Sequence, residues 1–133
     1  MSKIVLIIVS VLVVGLLLLL SPFVYFGMKS SSQRRALQNR SDYPQIAAAC
    51  VTMARSITND SDIIWPNDPV VPPLLRSLSP KYISASSNRV TMEFHGGFDH
   101  YGYRVRQSWA NPAFWNLSWY TEDGERLLTT IAP

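Results

Sequence analysis

Residues 4–26, Ile-Val-Leu-Ile-Ile-Val-Ser-Val-Leu-Val-Val-Gly-Leu-Leu-Leu-Leu-Leu-Ser-Pro-Phe-Val-Tyr-Phe, decide the architecture of this chain. Eighteen of these 23 side chains are Ile, Val, Leu or Phe and none is charged, so the stretch has no water-facing stripe. A helix of that length measures roughly 35 Å, against about 30 Å for a bilayer's hydrocarbon core. Each large aliphatic or Phe side chain favours insertion by about 0.3–0.6 kcal/mol, which outweighs Ser10, Gly15, Ser21 and Pro22. The stretch is therefore expected to be a single transmembrane anchor. A cleaved secretory signal would have a shorter apolar core and a small-residue cleavage site, whereas this run ends in Phe-Val-Tyr-Phe. Ser10, Gly15, Ser21 and Gly27 are not spaced by four, so a glycine-type helix dimer has no basis.

Outward from the anchor, charge divides the chain. Residues 1–28 form the span, residues 29–40 a basic juxtamembrane linker or polar continuation of the helix, and residues 41–133 a soluble domain. Lys29, Arg34, Arg35 and Arg40 follow the span and are expected to lie at the membrane surface, against anionic lipid. From Ser41 onward seven Lys and Arg stand against all nine Asp and Glu, so the domain itself is slightly acidic although the whole chain is +3. Nucleic-acid binding thus loses its electrostatic footing. The excess of positive charge after the span, compared with Lys3 and the α-amine before it, leans toward a cytoplasmic domain at the cell membrane. The single cysteine, Cys50, excludes an intramolecular disulfide and any multi-cysteine metal site.

Within the domain, Ser41-Asp42-Tyr43-Pro44 reads as a helix start, with Ser41 or Asp42 as cap and Pro44 in the first turn. Ile46, Cys50, Met53, Ala54 and Ile57 then recur at helical spacing. The segment from Ile63 to Pro73 carries four prolines, which predict an irregular crossing segment, and Leu74 to Leu78 a short helical turn. After Lys81 the period becomes two. Tyr82 to Ala85 and Arg89 to His95 flank a Ser86-Ser87-Asn88 turn, Tyr101 to Trp109 and Trp115 to Tyr120 flank Asn111-Pro112, and Asp123-Gly124 precedes Arg126 to Ile131. The expected fold is a transmembrane α-helix followed by a small α+β domain, one amphipathic helix packed on a four- to five-stranded antiparallel meander. The order of elements is loosely similar to that of pseudopilins and of cystatin-like or NTF2-like rolls. A pilin processing site, however, places a Glu just inside the apolar helix, and residues 4–26 contain none.

Candidate chemistry concentrates in Glu93-Phe94-His95-Gly96-Gly97-Phe98-Asp99-His100-Tyr101-Gly102-Tyr103. His95, Asp99, His100 and Glu93 are residue types that ligate Zn²⁺ or hold an imidazole as general base, although no metal motif of fixed spacing is present. The plainer reading is a glycine turn with locally bonded histidines. Arg104 and Arg106, on one strand face, are expected to pair with Glu93 across the hairpin, the alternative being that they receive an anionic group. Cys50 has no charged neighbour to activate it, and neither a nucleophile elbow nor a phosphate loop occurs, so catalysis is the minority expectation and no cofactor is implied. The aromatics crowd two adjacent strands, and Tyr101, Tyr103, Trp109 and Tyr120 are candidates for a partner surface. The functional expectation is a membrane-anchored protein–protein interaction or accessory module. The alternative is a tethered ligand- or metal-binding domain, or a hydrolytic enzyme, using the loop from His95 to Tyr103.

Overall fold

The computed structural model describes residues 2–95 and 100–133, and the chain divides into two compact units, Met1–Asn39 and Arg40–Pro133. The first unit is one helix, α1 (Lys3–Gln38), so the polar residues after the apolar run continue the helix instead of forming a loose linker. Ser2 caps its start by accepting the Val5 N–H at 3.3 Å. Pro22 lies inside α1 and has no N–H for the Leu18 carbonyl four residues back; the Ser21 hydroxyl donates to that same carbonyl at 3.0 Å. The hydroxyl supplies the donor that the proline lacks, and so lets a proline sit within an apolar helix. The aliphatic side chains from Ile4 to Leu20 are all exposed, and no residue of the most apolar window is buried within the chain. By length and composition α1 is able to cross a membrane.

The second unit opens with α2 (Tyr43–Ser56), where Pro44 stands in the first turn as the sequence suggests. Asp42 occupies the cap position, yet its side chain makes no capping bond. Both carboxylate oxygens instead accept from Arg40, Nε and Nη2, at 2.8 Å each. The strands are β1 (Ser61–Ile64), β2 (Tyr82–Ser86), β3 (Arg89–His95), β4 (Tyr101–Gln107), β5 (Trp115–Thr121) and β6 (Gly124–Ile131), with a short helix α3 (Pro73–Ser77) between β1 and β2. They form one antiparallel sheet in sequence order. The sheet has six strands instead of the expected four or five. The additional strand is β1, which ends two residues before Pro66 and pairs only with β2; an edge strand needs one hydrogen-bonded neighbour, so the prolines that follow do not prevent it.

The irregular stretch after β1 is held by Arg76 of α3, whose guanidinium donates to the backbone carbonyls of Pro66, Asp68 and Val71. Between β5 and β6 the turn is Glu122-Asp123, and Gly124 adopts φ +137°, a backbone conformation that L side chains rarely enter.

Helix α2 covers one face of the sheet. Ile46, Ala47, Cys50, Val51, Met53 and Ala54 are buried there against Ile83, Val90, Met92, Val105 and Leu117. An aromatic cluster completes the core: Tyr103 meets Phe94 at 5.4 Å and Trp119 at 5.5 Å edge-on, while Tyr101 stacks on Trp119 at 5.4 Å. Such contacts contribute about 0.5–1.5 kcal/mol each beyond the area they bury. The period of two therefore puts Val90, Met92, Phe94, Tyr101, Tyr103 and Val105 under α2. Thr91, Glu93, Gly102, Arg104, Arg106 and Tyr120 fall on the opposite, open face.

Candidate functional site

On the open face, β3, β4 and β5 bring Glu93, Gly102 and Tyr120 into one row, because Gly102 is the direct partner of both Glu93 and Tyr120. Gly102 is required there. A Cβ on it would lie 1.8 Å from the Met92 carbonyl oxygen, at the point where β3 shifts register between Glu93 and His95. With no side chain between them, the Tyr120 hydroxyl reaches over β4 and donates to Glu93 Oε2. His100 Nδ1 lies 2.8 Å from Glu93 Oε1. Glu93 is buried while the imidazole is half exposed, so the carboxylate is satisfied from both sides. Burial pushes the Tyr120 phenol well above its ordinary pKa, and the hydrogen bond and charge of Glu93 push it further.

Arg104 and Arg106 do not pair with Glu93 as expected. Both donate to Glu125 of β6, reaching across β5, where the residue opposite Arg104 is the small Ser118. The two oxygens of Glu93 are already engaged by Tyr120 and His100, and the Arg104 guanidinium lies 4.6 Å from the centroid of the Tyr120 ring, an attractive cation–π placement. Among the described residues, Arg104 Nε is buried without a hydrogen-bond partner, as is Trp119 Nε1 in the core.

Of the candidate ligands, Glu93 and His100 come together. Asp99 lies outside the described residues, and His95 is described through its backbone pairing with Tyr101 alone. Among the described residues no three His, Cys, Asp or Glu side chains converge on one point. Arg40 is engaged by Asp42 within the second unit, which raises the pKa of the guanidinium and holds the carboxyl below its usual range, so this arginine serves the fold as well as any membrane surface.

The aromatic candidates separate by face. Tyr101 and Tyr103 are wholly buried beneath α2, and Tyr120 is buried in the row just described, so these three correct the expectation of an exposed patch. Trp109 alone of the four stands out, 98% exposed. It belongs to the uncharged loop Ser108-Trp-Ala-Asn-Pro-Ala-Phe114 between β4 and β5, with Phe114 partly exposed beside it. The loop is pinned: Asn111 Oδ1 accepts the Ala113 N–H, Phe114 O accepts the Ser108 N–H, and Pro112 O accepts Gln107 Nε2 at 2.6 Å. Beside Trp109 lies a cleft of about 400 Å³ lined by Arg89, Arg106, Gln107, Ser108, Trp109 and Pro112. Alternation in the strands marks Arg106 as outward facing, but nothing local in the sequence signals that it meets Arg89 and Trp109.

No protein-family model matches the chain, and neither a curated protein nor a solved structure is significantly similar to it.

Proposed function

We propose that the chain is a single-pass membrane protein whose soluble α+β module recognises a protein partner through the patch centred on Trp109. One observation carries this reading: an indole 98% exposed on a hydrogen-bonded loop, beside a cleft edged by two arginines. Trp and Arg dominate the energetically important positions of protein interfaces, and a loop already ordered loses little entropy on binding. The anchor would hold the module at the cell membrane, and the positive charges after the span favour its cytoplasmic side.

Placing a photo-crosslinking residue at Ala110, exposed beside Trp109, keeps the indole in place and tests this in native membranes. A discrete adduct is expected there and not from Thr52, an exposed position on α2. An absent adduct, or the same products from both positions, would remove the reading.

A second reading, a tethered ligand or metal site or a hydrolase, is favoured by the contact between His100 and Glu93 alone. With one Glu93 oxygen taken by Tyr120, the atom this pair would offer to a metal is the remaining ring nitrogen of His100.

A further inference from the structure

We propose that the cleft between Arg89 and Arg106 receives a carboxylate from an acidic, partly apolar segment of the partner protein, packed against the Trp109 indole. This deepens the interaction reading and rests on it.

The β3–β4 register sets Arg89 directly opposite Arg106, and alternation puts both on the open face. Like charges facing each other on adjacent strands repel, with Cβ atoms about 4.5–5.5 Å apart, and are destabilising. The fold only half relieves this: Arg106 Nη2 reaches Glu125, whereas among the described residues Arg89 has no ion-pair partner. Arg89 and Arg106 both line one cleft of about 400 Å³, and a guanidinium suits the planar, bidentate geometry of a carboxylate. A small inorganic anion placed there would leave the Trp109 indole uncovered, whereas a peptide with an apolar residue beside its acid would cover it. Gln107 and Ser108 in the lining supply polar groups suited to a peptide backbone.

The test uses the full chain in phosphatidylcholine nanodiscs, titrated with a labelled peptide of alternating Glu and Leu, its Gln counterpart, and pyrophosphate. The acidic peptide is expected to bind at least about tenfold more tightly than the neutral one, and Arg89→Gln and Trp109→Ala are each expected to weaken it by about tenfold or more. Free of peptide, the Arg89→Gln variant should melt roughly 1–4 °C higher, since the opposed charges are gone. That rise separates a binding role from a structural one. Equal affinity for the two peptides, tighter binding of pyrophosphate than of the acidic peptide, an undiminished affinity in Arg89→Gln, or a lowered melting temperature would overturn the proposal. In native membranes, an adduct at position 110 that persists in full in Arg89→Gln defeats the carboxylate cleft alone, whereas an adduct missing from the otherwise native chain defeats the interaction reading beneath it.

Discussion

The Tyr120 hydroxyl donates to the Glu93 carboxylate across the whole width of β4, over Gly102, which faces both residues and has no side chain to separate them. The bond satisfies a buried charge-bearing group. Tyr120→Phe should therefore cost about 1.5–3 kcal/mol, measured by urea unfolding of the detergent-solubilised chain. Gly102→Ala should cost at least as much, because the new methyl meets the Met92 backbone, which cannot swing aside as a side chain would. Wild-type stability in the alanine variant would show that the row is not close-packed.

The anchor is open to a direct test. Leu12→Arg places a charge near the middle of the apolar run and should cost roughly 2.5–3.5 kcal/mol of insertion, read as release of part of the protein by alkaline extraction. Extraction of the unmodified chain into the soluble fraction would remove the membrane reading altogether. Orientation follows separately: neutralising Arg34 and Arg35 should raise the inverted fraction, scored by protease protection in sealed cells.

Replacing His100 by Gln tests the metal alternative. A half-exposed imidazole at the edge of the row should contribute no more than about 1 kcal/mol, and chelator or Zn²⁺ should leave the melting temperature of the native chain unchanged. A bound ion at 100 times its dissociation constant would instead add about 2.7 kcal/mol. A Zn²⁺-dependent rise that vanishes when His95 and His100 are both replaced would favour the second reading.

Stability should fall at both ends of the pH scale, for different groups. Burial raises the phenol pKa of Tyr103 and Tyr120 above the unfolded value of about 10, so their contribution is intact below that pH and is lost as pH climbs toward the folded values. The hydrogen bond from Arg40 lowers the Asp42 pKa, so that contribution is present above roughly pH 4 and is lost as pH falls through the folded value. Urea unfolding at pH 3, 7 and 11 checks both. Tyr120→Phe should reduce the alkaline loss; Asp42→Asn should flatten the acid side, by no more than about 1 kcal/mol for so exposed a pair.

The parts of the fold that were legible from the residues alone are those governed by local periodicity. The apolar run ending at Phe26, the stripe from Ile46 to Ala54 and the turn after Ser86 each depend on neighbours a few positions away, whereas the last turn falls on Glu122-Asp123, one residue before the expected Asp123-Gly124. The strand at Ser61–Ile64 is not legible in this way, because its partners on β2 lie 19 (Ile64↔Ile83) to 24 (Ser61↔Ala85) residues downstream and the prolines that follow predict an irregular segment. The pairing of Glu93 is hidden for a similar reason. Alternation put Arg104 on the same face and near in sequence, but the competition among Tyr120, His100 and Glu125 for those charges is settled by strands up to 27 residues apart.

The sequence by itself determined that an uncharged apolar run leads through a basic segment into a small, slightly acidic α+β domain, because hydrophobicity and periodicity are properties of consecutive residues. Only the tertiary structure decided which tyrosines disappear into the core, that Glu93 and His100 meet, and that Arg89, Arg106 and Trp109 border one cleft. Those outcomes depend on register and on which sheet face α2 covers, and both are set by packing among segments far apart in the chain.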